Sequence, residues 1–332
     1  MKVRIINQTE IRQLLPMAEC LDLMSEALKA LARGASILPL RQVIALPDKS
    51  GLLAVMPSYS GNLPAMGVKV ISVFPGNLGT ELDSHQGAVL LFETERGRLI
   101  AILDASEITA IRTAAVSGVA TRVLAREDAT DLAILGSGVQ ARTHLEAMLV
   151  ARNITRVRVW SRRFENARTF AESESLRNNL SVTAVRTAQE AVTAADIICT
   201  TTPAKEPVLF GEWISPGTHI NAAGAFGPTT RELDTVAMVK SRLFVDRRES
   251  TLNESGDFLI PKREGAISDA HILGELGELL IEKVRGRTAP GEITLFKSMG
   301  IAIEDLASAH YIYNKAVQQG IGTSIELGGE RS

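Results

Sequence analysis

A short apolar run, Asp131-Leu132-Ala133-Ile134-Leu135, leads directly into Gly136-Ser137-Gly138-Val139-Gln140-Ala141. Two glycines one residue apart, where a strand-like run gives way to a helix-like one, narrow the architectures open to the chain. Without Cβ atoms the backbone can approach a bound group closely, and the amides of a helix N-terminus then face it. Three residues after Gly138 stands Ala141, small enough for a helix to pack on its strand. Such a glycine pattern is weak alone and gains force from its position between strand and helix. It predicts a parallel sheet that binds a dinucleotide, with Gly136, Ser137, Gly138, Val139 and Gln140 around the pyrophosphate.

From Asp131 onward, apolar runs alternate with helical periodicity, as in a doubly wound parallel sheet. Strands are expected over 131–135, 156–161, 181–185, 196–201, 219–223, 242–246 and 293–296, with helices over 144–151, 165–175 and 188–194. Residues 1–104 read as an antiparallel α+β unit instead. It has a strand at 3–6, a helical segment from 9 to 32, and extended runs at 41–46, 52–56, 65–74, 88–93 and 99–103. Glu95-Arg96-Gly97-Arg98 reads as the turn between the last two runs. Residues 106–125 read as a helix connecting two domains, and 301–319 as a helix returning the chain to the first. The expected fold is α/β: a Rossmann-type dinucleotide-binding domain over 119–302, plus a discontinuous α+β domain over 1–118 with 303–332.

Length agrees with two domains, since 332 residues exceed one ordinary domain. A net charge of −2 gives no electrostatic reason to expect nucleic acid or an anionic membrane as partner. No apolar run approaches the length of a membrane span, and the first residues, Met1-Lys2-Val3-Arg4, open no apolar leader, so a cytoplasmic protein is expected. Cys20 and Cys199 are too few for a disulfide framework and read as buried thiols. The histidines, at 85, 144, 219, 271 and 310, lack ligand spacing, so no metal site is expected.

Cofactor choice in this fold is made at the end of the second strand. An acidic residue there binds the ribose 2′-hydroxyl of NAD, whereas arginine accommodates the 2′-phosphate of NADP. Here that strand ends Trp160-Ser161-Arg162-Arg163. A hydroxyl and two guanidinium groups suit a phosphate, so NADP(H) is preferred and NAD(H) is the alternative. The competing reading is that Arg162 and Arg163 only solvate the start of the next helix.

Further motifs run through both halves. They are Met66-Gly67-Val68-Lys69-Val70, Ser84-His85-Gln86-Gly87, Leu103-Asp104-Ala105 with Thr109-Ala110-Ile111-Arg112-Thr113, and Asn221-Ala222-Ala223-Gly224-Ala225. Glu254-Ser255-Gly256-Asp257, Glu275-Leu276-Gly277-Glu278 and Phe296-Lys297-Ser298-Met299-Gly300 with Glu304-Asp305 follow. Together with the glycine turn, and in this order, they resemble the ornithine cyclodeaminase/mu-crystallin family over almost the whole chain. The resemblance implies a homodimer whose α+β domains bind substrate and join two sheets across the subunit interface. It also implies a nicotinamide cofactor and a small α-amino or α-imino acid substrate.

By the same resemblance the substrate carboxylate is held by Arg41, Lys69 and Arg112, with Lys69 and Arg112 catalytic. Arg112 lies in an apolar, small-residue helix where an unpaired guanidinium is costly, so a bound anion is expected to compensate it. Two neighbouring arginines should lower the pKa of Lys69 toward the range useful for proton transfer. Cofactor contacts are implied at Ser84, Arg112, Thr200, Thr201, Thr202, Ala223 and Ser298, besides the glycine turn and Ser161, Arg162 and Arg163. Glu254 is a further candidate pocket residue, with a helix-surface charge as its competing role.

Cyclodeaminases of this family carry an aspartate after the Gly-Ala or Gly-Gly pair and a glutamate on the strand before the lysine. Here those positions are Phe226 and Met56. An ornithine side-chain ammonium beside them loses water without gaining a partner. The pocket therefore favours an apolar or cyclic side chain, and the expected activity is reduction of Δ1-pyrroline-2-carboxylate or Δ1-piperideine-2-carboxylate to L-proline or L-pipecolate. Three alternatives stand beside it: ornithine cyclodeaminase, an alanine-type amino acid dehydrogenase, and a mu-crystallin-like protein that holds a ligand together with NADPH.

Overall fold

The computed structural model describes residues 2–77 and 79–329. The chain begins with β1 (Lys2–Ile6), α1 (Gln8–Leu14) and α2 (Met17–Ala32). Asn7 caps α1, its side chain accepting from the Glu10 amide while the Glu10 carboxylate accepts from the Asn7 amide. The helical segment expected from 9 to 32 is thus two helices. Pro16 has no amide proton and forces its predecessor out of the helical region, leaving Leu15 at φ −122° and ψ 73°.

Strands β2 (Ser36–Ile37), β3 (Gln42–Ala45), β4 (Leu52–Ser60), β5 (Ala65–Val73), β6 (His85–Glu93) and β7 (Leu99–Asp104) follow, then α3 (Ala105–Leu124). The next stretch alternates β8 (Asp131–Leu135), α4 (Val139–Ala151), β9 (Arg156–Trp160), α5 (Phe164–Asn178), β10 (Val182–Ala184), α6 (Ala188–Val192), β11 (Ile197–Thr200) and β12 (His219–Ala222). It continues through α7 (Thr235–Lys240), β13 (Ser241–Val245), α8 (Arg248–Glu254), α9 (Gly256–Arg263), β14 (Ile272–Glu275), α10 (Leu276–Leu280) and β15 (Ile293–Lys297). Last come α11 (Ala302–Gln319) and β16 (Thr323–Glu326). Two compact units result, one comprising Met1–Arg112 with Gly300–Ser332 and the other Thr113–Met299, so the division falls inside α3.

In the first unit the sheet order is β16-β1-β7-β6-β5-β4-β2, with β3 also paired to β4. The sheet is not wholly antiparallel as expected, because β1 runs parallel to β7. Side chains alternate between the two faces of a strand. One face is covered by α11, which packs on β4, β5 and β6 and against α2. The other displays apolar side chains, with Leu53, Tyr59 and Met66 each more than a third exposed.

The second unit is a sheet of order β10-β9-β8-β11-β12-β15-β13-β14, every adjacent pair parallel. Strands β8, β11 and β12 are buried at every position, as expected where a parallel sheet is covered on both faces. Its core joins Ala133, Leu135, Ile198, Ile220, Leu243 and Leu295 across consecutive strands. Helix α4 starts at Val139, earlier than its expected start at 144, directly after the glycine turn. Cys20 and Cys199 are both fully buried. Among the described residues no helix is long and apolar enough to cross a membrane.

Candidate active site

The first unit gathers charge on the covered face of its sheet. Lys69, in the middle of β5, sits between Met56 of β4 and Val89 of β6 in register and is 3% exposed. Facing it, the first turn of α11 carries Glu304 and Asp305, both buried, where the helix dipole favours negative charge. Lys69 Nζ donates to Asp305 Oδ1 at 2.9 Å and to Thr109 Oγ1 at 3.3 Å. Arg112, on α3, donates from Nε to the same Asp305 oxygen at 2.9 Å and from Nη1 to Glu304 Oε2 at 2.7 Å. Arg41 Nη2 donates to the Gly300 carbonyl at 2.9 Å, just before α11. Two cations, Lys69 and Arg112, thus meet on Asp305, and Arg41 stands beside them at the start of α11.

The Lys69 ammonium titrates at about 8, pushed down first by burial, then by Arg112 and less by Arg41, while Asp305 opposes the fall. The sequence assigned this shift to the arginines; desolvation is the larger cause. Burial also works against ionisation of Asp305, yet Arg112 and Lys69 together hold its carboxyl below the ordinary range. His85 is depressed by burial and by the Lys69 and Arg112 charges. Its Nδ1 lies 3.2 Å from the neighbouring Ser84 Oγ.

The surroundings of Arg112 differ from those its sequence context predicts. Arg112 was expected to need a bound anion for compensation, whereas Glu304 and Asp305 of the same chain compensate it. These two acids carry the electrostatics of the cluster and were not among the expected site residues. Their signal is visible in retrospect: adjacent carboxylates opening a helix that otherwise begins Ala302-Ile303 and continues Leu306-Ala307.

In the second unit the glycine turn has the geometry its sequence demands. Gly136 lies at φ +128°, and a Cβ there would sit 2.5 Å from Thr201 Oγ1 and 2.9 Å from Thr201 O. The ends of β8 and β11 can press together only without that atom, and the Thr201 amide donates to Leu135 O at 2.9 Å. Gly138 is the N-cap of α4 and supplies no side-chain cap, which leaves the first amides of the helix facing an exposed surface. A Cβ at Gly138 would meet nothing within 4 Å, and Val139 beside it is 56% exposed. An uncapped helix N-terminus with open space before it fits a pyrophosphate.

The other expected cofactor contacts stand at the carboxyl ends of neighbouring parallel strands. Ser161 follows β9 and its Oγ accepts from Ser137 Oγ at 3.0 Å, with Arg162 and Arg163 exposed beyond it. Thr200 ends β11, and Thr201 and Thr202 follow. The Ala223 amide after β12 donates to Thr200 O, and the Ser298 amide after β15 donates to Ala222 O, each at 3.0 Å. In parallel sheets of this kind, ligands bind outside these strand ends. Phe226 is 41% exposed on the turn after β12, and Glu254 closes α8, its carbonyl accepting from the Gly227 amide. The first unit therefore holds Arg41, Met56, Lys69, Ser84 and Arg112, and the second holds the remaining expected site residues. Among the described residues no group of His, Cys, Asp and Glu could hold a metal ion.

Comparison with known proteins shows the family and the fold. The model of the ornithine cyclodeaminase/mu-crystallin family matches residues 1–320. The ketimine reductase mu-crystallin of Mus musculus is 42% identical over 281 residues, spanning 85% of this chain and 86% of its own. The structure of Thermococcus litoralis Δ1-pyrroline-2-carboxylate reductase in complex with NADH and L-proline superposes with a TM-score of 0.95 at 41% identity, covering 97% of this chain and 99% of that one. An archaeal alanine dehydrogenase dimer with bound NAD superposes at 0.93 with 31% identity, covering 99% of this chain and 100% of the other.

Proposed function

The chain belongs to the ornithine cyclodeaminase/mu-crystallin family, and from that premise we propose that it is an NAD(P)H-dependent reductase of cyclic α-imino acids. Δ1-Pyrroline-2-carboxylate and Δ1-piperideine-2-carboxylate are the substrates, and L-proline and L-pipecolate the products. The observation that carries this reading is the cluster in which buried Lys69 and Arg112 meet Asp305 and Glu304, with half-buried Arg41 beside them on the Gly300 carbonyl. Two guanidinium groups and an ammonium at one place suit a substrate carboxylate. Ketimine and pyrroline-carboxylate reductases among its similar proteins support the same substrate class.

Arg41 and Arg112 orient the substrate carboxylate, Arg112 from a guanidinium already fixed by two carboxylates. An ammonium has three donors, and Lys69 commits two of them, to Asp305 and Thr109. Its third N–H delivers the proton to the imine nitrogen. A Lys69 pKa near 8 keeps that proton in place at neutral pH and makes it easier to release than from an ordinary lysine. Met56, 5% exposed and directly across from Lys69, presents an apolar surface where a cyclodeaminase needs an acid. The substrate's ring carbons suit that neighbour. Phe226 adds no carboxylate from its own turn.

The glycine turn Gly136–Gln140 would hold the pyrophosphate, Ser161 and Arg162 the adenosine ribose, and Thr200–Thr202, Ala223 and Ser298 the nicotinamide half. Held there, a reduced nicotinamide would supply the hydride. Absence of a carboxylate after β9, with Arg162 and Arg163 exposed there, supports NADPH over NADH. The open apolar face of the first sheet supports a homodimer, since a contiguous patch of this kind is the usual mark of an interface. Two buried thiols and the absence of an electrostatic handle for membranes suit a cytoplasmic enzyme.

A spectrophotometric panel tests the assignment: both cyclic imines, pyruvate with ammonia or amines, and ornithine, each with NADPH and NADH. Oxidation of the nucleotide by the cyclic imines is expected. Ammonia release from ornithine with catalytic NAD and no net nucleotide change would reverse it.

A further inference from the structure

Beneath the carboxyl ends of β11 and β12, one buried carboxylate ties two strand ends together. Glu232 is fully buried, and its two oxygens receive five hydrogen bonds. Oε1 accepts from the Thr202 amide at 2.6 Å and Thr202 Oγ1 at 2.8 Å. Oε2 accepts from Thr200 Oγ1 at 2.9 Å and from the amides of Gly224 at 2.8 Å and Ala225 at 3.1 Å. Thr200 and Thr202 belong to the end of β11, and Gly224 and Ala225 follow β12. A Cβ on Gly224 would sit 2.2 Å from the Thr202 amide nitrogen, so glycine alone permits this approach.

A second buried pair closes the circuit. Asp257 Oδ1 accepts from the amides of Glu232 at 2.8 Å and Leu233 at 3.0 Å, and Asp257 Oδ2 lies 3.0 Å from Lys297 Nζ. Lys297, the last residue of β15, in turn donates to the Ala225 carbonyl at 2.7 Å. Glu232, Ala225, Lys297 and Asp257 thus form a closed ring of contacts, and Ser298 is the next residue in the chain. Burying two acids and a lysine is costly unless each is satisfied, so the ring has a geometric reason to exist.

We infer that Glu232 is a positioning residue that sets the nicotinamide half of the dinucleotide site by holding Thr200, Thr202, Gly224 and Ala225 in one arrangement. The inference rests on the proposed dinucleotide-dependent function. In a doubly wound sheet each βαβαβ half serves one mononucleotide. The ring lies wholly on the β11–β12–β15 half, while the glycine turn and Ser161 lie on the β8–β9 half. Loss of Glu232 should therefore affect one half of the cofactor and spare the other.

The test compares the wild-type protein with Glu232→Gln and Asp257→Asn. Glutamine presents an NH2 group to amides and hydroxyls that are all donors, leaving some unsatisfied. Asp257→Asn can keep the acceptor for the Glu232 and Leu233 amides and loses the charge opposite Lys297. Binding of NADPH and NADH is read by nicotinamide fluorescence, and binding of ADP-ribose 2′-phosphate and ADP-ribose by calorimetry. We expect Glu232→Gln to weaken the whole dinucleotides about tenfold or more, and Asp257→Asn by a smaller factor. Both should leave the nicotinamide-free fragments within about twofold, and the KM for imino acid at saturating cofactor unchanged. Equal loss of fragments and dinucleotides in either folded variant, or no loss of dinucleotide in both, overturns the inference. Should Glu232→Gln not fold, Asp257→Asn alone decides by the same criterion. A wild-type protein that binds no dinucleotide would instead overturn the proposed function.

Discussion

Replacing Asp305 by Asn removes the one carboxylate that both Lys69 and Arg112 share, with little change in shape. The two cations and the acid are all less than 5% exposed. Stripping one partner from a buried ion pair costs about 3–5 kcal/mol. The lower end applies here, about 3 kcal/mol, because Glu304 still neutralises Arg112 and the amide oxygen still accepts one bond. A more specific effect follows at Lys69. Burial and Arg112 push its pKa down, and Asp305 is the group that holds it up at about 8. Without that charge the ammonium loses its proton more easily, so the alkaline limb of kcat/KM for imine reduction moves to lower pH. Activity at pH 8 then falls more than activity at pH 6, which partly recovers. Denaturant titration at pH 7 measures the first effect, and initial rates from pH 5.5 to 10 the second. An alkaline limb that stays where it is in the parent enzyme, or moves upward, would refute the assignment of Lys69 as a proton donor tuned by Asp305.

In the parent enzyme kcat/KM should decline above about pH 8 as Lys69 deprotonates, and Lys69→Met should abolish both the activity and that limb. The same depressed pKa bears on stability. Between about 8 and the ordinary lysine value of 10.5 the unfolded chain holds a proton that the folded chain has released, so this group makes folding more favourable as pH rises through that window. Denaturant titrations at pH 7.5 and 10 should show a smaller gain in Lys69→Met. Arg162→Ala should raise the KM for NADPH about tenfold or more and leave NADH within about twofold, whereas equal losses would remove the 2′-phosphate argument. Met66→Arg places a charge on the open sheet face, and sedimentation should show dimer giving way to monomer.

The parallel sheet was legible because its strands are short apolar runs separated by helical periodicity, and those expected at 131–135, 156–161 and 219–223 differ from the observed ones by at most one residue. Local patterns carried less of the first unit. Pro16 was in plain view as the break between α1 and α2, but the amphipathic pattern on either side read as continuous. The parallel pairing of β1 with β7 depends on a partner some ninety-seven positions away, Arg4 opposite Ala101, and no local pattern encodes it. The same is true of charge. Lys69 and Arg112 could be picked out as unusual residues in apolar surroundings, whereas their partners Glu304 and Asp305 lie near the other end of the sequence. Glu232 was invisible for a related reason, since Glu232-Leu233-Asp234 reads as an ordinary acidic loop until five donors converge on it.

The separation of 236 positions between Lys69 and Asp305 has a consequence for biosynthesis. Domains tend to fold as they leave the ribosome, amino-terminal portions first. The contiguous unit from Thr113 to Met299 can complete itself in that order. The discontinuous one cannot, for its lysine and arginine are translated long before the acids that neutralise them. Until α11 emerges, a nascent chain carries a half-built sheet with two cations that have no reason to be buried. The ion cluster is therefore assembled only after α11 has emerged, and a chain cut short of residue 304 keeps the whole contiguous unit while its Lys69 and Arg112 lack both acids.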